Sequence, residues 1–219
     1  MSLRDKILRI GRGIVGRVPD RHWAPRKFRL LKLRLRRRSL RGEDICIVSN
    51  NCVGGVIAHD LGLPFNSPIV NMFIYAPDYI EFLSKFDHYL SLDPEPLAES
   101  RYGTFAYPLA SLGGIELHLM HYKSFEEARA KWLARRERVK GKRLFIIGSD
   151  RDLCTPDLVR RFDRLPYPNK LFLSSKPYPD LKSVVYFPEY EGRTEIPDTI
   201  PARSWLKHID IVGWLNRGG

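Results

Sequence analysis

The run Ser49-Asn50-Asn51-Cys52-Val53-Gly54-Gly55 gathers a hydroxyl, a thiol, two amides and two glycines within seven positions. These residue types could hold a phosphate, an oxyanion or a sugar hydroxyl, and acyl transfer is one chemistry they would serve. Cys52 or Ser49 supplies a nucleophile, and the Asn51 amide with the N–H groups of Gly54 and Gly55 supplies donors to an oxyanion. A base and a group to orient it complete the set. His121 and His59 are the candidate bases, and Asp150 is the candidate orienting carboxylate. Direct attack by a sugar hydroxyl, with histidine as base and no covalent intermediate, needs fewer parts. Asn50, Asn66, Ser67 and His59 are further candidates for holding substrate. Glycosyl transfer would use the same strand ends differently. A nucleotide diphosphate would sit on the helix N-terminus, and Asp150 with Asp152 would hold a divalent cation. A third possibility is a non-catalytic scaffold.

The elements that must position these groups are legible in part. Ile45-Cys46-Ile47-Val48 reads as a buried strand that breaks at Ser49–Cys52 and enters a helix from Val53 to Leu61. Such a turn leaves the carboxyl edge of a sheet, where open α/β sheets bind ligands. Ile69–Ile74 reads as a second strand, and Pro77-Asp78 opens a helix whose aromatics, Tyr79, Phe82, Phe86 and Tyr89, face the core. Tyr102–Pro108 reads as a short edge strand. Alternation through Ile115–Tyr122 puts Glu116 and His118 on one face as a solvent-facing pair, with His121 at the strand's end. Lys123–Val139 reads as a helix capped by Ser124, and Trp132 anchors it. Leu144–Gly148 is the clearest buried strand, and Ser149–Asp152 is again a polar turn at a carboxyl end. Thr155-Pro156-Asp157 starts a helix. Lys170–Ser174 and Val184–Phe187 read as strands, and short helical patterns carry Trp205, His208 and Trp214. The sum is an α/β protein with a mainly parallel layered sheet of about five or six strands and flanking helices.

Charge divides the 219 residues sharply. The net charge is +12, yet residues 1–41 hold 15 Lys and Arg against two Asp, a net of +13. We therefore separate a basic amphipathic arm, residues 1–41, from a nearly neutral single domain, residues 42–219. In the arm Leu3, Ile7, Ile10, Ile14 and Val18 form one helical stripe, and Arg26–Arg38 is a second basic helix docked by Phe28, Leu31 and Leu35. An anionic membrane surface is the partner these features fit. RNA or DNA would engage the same charges, but the neutral domain offers no broad nucleic-acid-binding face. Three cysteines at no metal-ligand spacing argue against a disulfide framework and point to the cytoplasm, with peripheral attachment at the inner face of the membrane. No apolar run approaches the ~20 residues that span a bilayer.

Several motifs in order resemble a bacterial family of unknown function whose members are often labelled exopolysaccharide or capsular polysaccharide biosynthesis proteins. They are Ser49–Gly55, Asp60-Leu61-Gly62-Leu63, Asn66-Ser67-Pro68, Pro77-Asp78-Tyr79, His121-Tyr122, Lys131-Trp132, Arg135-Arg136, Asp150 and Phe162-Asp163. The resemblance covers roughly residues 44–190, and this chain has Val53 where the family usually has tryptophan. The opening turn also looks like that of a second polysaccharide-locus family, thought to be acetyltransferases with a hydrolase-like architecture. The first resemblance implies a pathway, with a sugar or lipid-linked saccharide as substrate, and the second implies acyl transfer with acetyl-CoA as the donor; glycosyl transfer from a nucleotide-sugar stays as the alternative from the strand-end reading.

Overall fold

The computed structural model describes residues 26–200 and 203–217. The stripe Leu3–Val18 lies outside them. In chain order the elements are α1 (Arg26–Arg36), β1 (Ile45–Ser49), α2 (Val53–Leu61), α3 (Ala76–Ser84), α4 (Phe86–Ser91), β2 (Glu95–Leu97), β3 (Leu109–Leu112), β4 (Ile115–His118), α5 (Phe125–Arg136), β5 (Arg143–Ser149), α6 (Pro156–Arg164), β6 (Lys170–Ser174), β7 (Val184–Tyr186), α7 (Trp205–His208) and α8 (Ile211–Arg217).

The expected α/β layering is present, with its strands divided between two sheets. One is parallel, in the order β1-β5-β6-β7, and a smaller antiparallel sheet has the order β2-β3-β4. The parallel strands are buried on both faces, as continuous apolar runs require. Alternate residues serve opposite sides. Cys46, Val48, Ile146 and Phe172 enter a core with α3, α5, α6 and the small sheet, built around Trp132, Phe82 and Phe162. Ile45, Ile47, Phe145, Ile147 and Leu173 enter a second core with Leu33, α2 and the tail, built around Trp205, Trp214 and Phe187.

The caps at Ser124 and Thr155 form as read, each hydroxyl accepting from the N–H three residues on. The aromatics of α3 and α4 are core, and the Trp132 indole N–H donates to the Leu92 carbonyl at 3.2 Å.

Four expectations are corrected. Ile69–Ile74 is a turn and not a strand. Asn71 takes φ 67°, the Met72 N–H bonds back to the Ile69 carbonyl, and Phe73 makes a lone bridge to His118. Tyr102–Pro108 is irregular, and Glu95–Leu97 forms the edge strand. Glu116 and His118 are fully buried rather than solvent-facing, because α3 and the 100–107 loop cover that face. Lastly, α1 docks through Leu33, with Leu30 half-buried, while Phe28, Leu31 and Leu35 point outward.

Candidate functional site

The helices after β1 and β5 diverge. α2 packs into the core on one face of the sheet and α6 into the core on the other. A crevice therefore opens between adjacent parallel strands at their carboxyl ends, the switch point where such sheets bind ligands. A cavity of about 370 Å³ occupies it, within the range of small-molecule sites. Its walls are the turn after β1 (Asn50–Val53), the turn after β5 (Ser149, Arg151, Asp152), the 120–121 turn with Tyr107 and Phe73, and the segment Ile196–Ile200.

The first turn is built largely to hold itself. Ser49 is buried, and its hydroxyl donates to the Asn51 carbonyl at 2.5 Å and accepts from the Gly54 N–H at 2.9 Å. Ser49 is thus a clip and no free nucleophile, and the Gly54 N–H is not available to an oxyanion. Gly54 lets α2 approach β1. A Cβ there would lie 2.7 Å from Ser49 Oγ and 3.1 Å from Ile47 Cγ2. At Gly55 a Cβ would meet Val70 at 3.3 Å. Asn51 Oδ1 accepts from the Val53 N–H at 3.0 Å, which leaves its Nδ2 for a ligand. Cys52 lines the cavity, but burial pushes its thiol up and the Asp198 carboxylate adds to the rise. The thiol stays protonated and is a poor nucleophile.

The polar groups free for a ligand sit deeper. Asn50 and Ser149 are both buried cavity residues, and Asn50 Oδ1 and Ser149 Oγ have no hydrogen-bond partner. Buried polar atoms are normally satisfied, so two unpartnered ones on adjoining walls of the cavity are open to a polar group of a ligand.

Asp152 is the cavity carboxyl whose proton affinity is raised. Burial pushes its carboxyl up to about 6; Arg151 opposes this, while Glu195, Asp150 and Asp198 reinforce it. Asp152 and Leu153 have φ of 65° each, a conformation that non-glycine residues hold only where surroundings impose it. Those surroundings are the Ala76 N–H, which donates to the Asp152 carbonyl at 3.0 Å, and Glu195, which accepts from the Asp152 N–H at 3.2 Å.

Asp150 orients no base. It is buried, and its carboxylate accepts from the Ser175 N–H and hydroxyl at 2.7 Å each, from Ser174 Oγ at 3.3 Å and from the Ile196 N–H at 2.9 Å. It ties the 193–200 segment to β6 and so builds the far wall. With those oxygens committed, Asp150 and Asp152 form no cation-holding pair. Among the described residues no three His, Cys, Asp or Glu side chains are grouped to hold a metal ion.

Of the histidines, His121 lines the cavity from an exposed turn. His59 is exposed beside Asp60 near the far end of α2 and does not line the cavity. Asn66 sits at the opposite end of β1, where its amide donates to the Ile45 carbonyl at 2.8 Å and satisfies an edge strand. Ser67 is buried next to it, outside the cavity. His118, read as exposed, is buried behind the cavity wall. Its Nδ1 lies 3.2 Å from the hydroxyl of the cavity residue Tyr107, and its Nε2 lies 3.7 Å from Glu116. Burial lowers its proton affinity against the pull of Glu116 and Asp78, so His118 is a neutral prop for Tyr107. Of the residues read from sequence, Asn50, Asn51, Cys52 and His121 line this cavity. Ser149, Asp198 and Tyr107 were not assigned to the site, and Asp152 was read only as a cation ligand beside Asp150, although the polar turn at the end of β5 was the signal for Ser149 and Asp152.

The parallel sheet with helices on both faces and a polar crevice at its switch point places the chain in the open-sheet α/β class. Residues 25–216 match the family described as a domain of unknown function, DUF1919, and the chain belongs to that family. A protein of Haemophilus influenzae, described as uncharacterized, is 37% identical over 184 residues, 82% of this chain and 87% of its own length.

Proposed function

We propose that this protein transfers an acyl group to a sugar hydroxyl of an exopolysaccharide or its lipid-linked precursor, with Asp152 as general base. The observation that carries this reading is a cavity carboxyl raised to about 6 beside two unpartnered buried acceptors, Asn50 Oδ1 and Ser149 Oγ. A base works best when its proton affinity lies near the working pH. Asn50 and Ser149 would bond neighbouring hydroxyls of the sugar. Asp152 would take the proton of the reacting hydroxyl as its oxygen attacks the thioester carbonyl carbon. The Asn51 amide would donate to the oxyanion, and His121 on the open side would return a proton to the departing thiolate. The pathway is supported by the motifs from Ser49 to Asp163 that resemble polysaccharide-biosynthesis proteins.

Glycosyl transfer from a nucleotide-sugar would use the same base, but its diphosphate would bring negative charge against Asp152 and Asp198. Acetyl-CoA carries phosphates too, but a long neutral pantetheine arm separates them from the thioester, so acyl transfer would bring only a neutral group to Asp152 and Asp198 and is favoured for that reason. Thermal stabilisation measured against acetyl-CoA and against a panel of UDP- and GDP-sugars, with and without a divalent metal, tests the proposal. A shift with acetyl-CoA is expected. Shifts with nucleotide-sugars alone would overturn acyl transfer, and no shift with any ligand would favour a scaffold.

A further inference from the structure

The outer face of α1 (Arg26–Arg36) presents three large apolar side chains to solvent. Phe28, Leu31 and Leu35 are each more than half exposed, at 53%, 55% and 58%. At 3.6 residues per turn they fall within an arc of about 60°, on the side of the helix away from buried Leu33. They form one ridge. Exposed Lys32 flanks the ridge on one side, and exposed Lys27 and Arg34 flank it on the other. The inner face is fastened to the domain. Arg36 pairs with Asp210 at 2.6 Å, and the Arg37 guanidinium donates to the Leu61 and Gly62 carbonyls at the end of α2. The ridge is therefore not a docking face awaiting its own domain.

We infer that this face of α1 lies in the plane of an anionic lipid bilayer, with Phe28, Leu31 and Leu35 among the acyl chains and the flanking cations at the headgroups. Charge decides between the possible occupants. A second copy of the chain would bring two sets of cations together. A nucleic acid would answer the cations but leave the apolar ridge without a partner. An anionic bilayer satisfies both parts of the pattern, an apolar stripe with basic margins. The concentration of charge agrees, since residues 1–41 carry +13 and the rest of the chain is nearly neutral. The inference is independent of the cavity's chemistry.

Co-sedimentation of the full chain with vesicles tests it, using phosphatidylcholine alone and phosphatidylcholine mixed equally with phosphatidylglycerol. Binding to the mixed vesicles only, weakened by salt, is expected. The triple variant Phe28→Ser, Leu31→Ser, Leu35→Ser should bind them about tenfold more weakly or worse. Replacing Lys27, Lys32 and Arg34 by Gln should cost roughly fivefold per charge. All six side chains are exposed, so thermal melting should be unchanged, which separates loss of the surface from loss of the fold. The inference is overturned if the full chain ignores both vesicles or if the serine variant binds as well as the parent. It is also overturned if only the glutamine variant loses binding and duplex RNA is bound equally well. Conversion of a dimer to a monomer by the serine substitutions, with vesicle binding unaltered, would assign the ridge to a second copy.

Discussion

Replacing Asp152 by Asn tests the proposed base through stability as well as activity. The carboxyl is raised from the ordinary 3.8 to about 6, chiefly by burial. Each tenfold change in proton affinity corresponds to ~1.4 kcal/mol, so holding Asp152 ionised costs the folded state about 3 kcal/mol at most. The direction follows from the raised value. The native protein binds this proton more tightly than the unfolded chain does. The favourable contribution is full below about pH 4 and is lost as pH rises through about 6. Asparagine cannot ionise, tolerates φ of 65° better than most residues, and forfeits only a 3.9 Å ion contact with Arg151. The variant should therefore be more stable than the parent by about 1–3 kcal/mol near pH 8, with the difference disappearing near pH 4. Urea unfolding at a series of pH values gives this difference directly. Transfer activity should fall about 100-fold or more across the whole pH range. A variant that is stabilised while inactive identifies a strained functional charge. A variant destabilised at every pH, or one whose offset from the parent does not change with pH, would refute the reasoning.

Three further substitutions separate chemistry from scaffold. Cys52→Ala should keep activity within about twofold, because the protonated thiol is not the nucleophile; complete loss in a steady-state assay would restore Cys52 to that role. Asp150→Asn should destabilise the protein by about 2–4 kcal/mol in urea unfolding, because the carboxylate that collects donors from Ser174, Ser175 and Ile196 is buried. Unchanged stability would mean that the 193–200 segment is held by other contacts. Gly54→Ala should cost about 1–3 kcal/mol, since the added Cβ meets Ser49 Oγ at 2.7 Å and Ile47 on β1, and calorimetry would show it as a lowered Tm.

The sequence exposed whatever depends on local pattern. β1, β5 and β6 are apolar runs bounded by turn residues, and α5 and α6 begin with a serine and a threonine that cap their own backbone. Ile69–Ile74 deceived because its apolar composition satisfies a core without satisfying a ladder. Asn71 at positive φ reverses the chain there, and the free edge carbonyl at Ile45 is met instead by the Asn66 amide. The roles of Asp150 and Asp152 could not be separated from sequence. Two residues apart in one polar turn, they differ only in what arrives from outside it: Ser175 and Ile196 at the first, Glu195 and the Ala76 N–H at the second. His118 was misread for a similar reason, since alternation fixes which residues share a face and does not say what covers it.

The cavity takes its walls from residues as distant as Asn50 and Ile200, and its last wall is tied to the sheet's carboxyl ends by the Ile196 N–H to Asp150, by the Asp152 N–H to Glu195 and by Arg151 to the Ile196 carbonyl. The segment that supplies this wall follows all four strands of the parallel sheet in the chain. The 193–200 segment is followed by α7 and α8, whose Trp205 and Trp214 fill the core on the α2 side of the sheet. Ile196 lies in that same core, so the far wall of the cavity and the tail pack together.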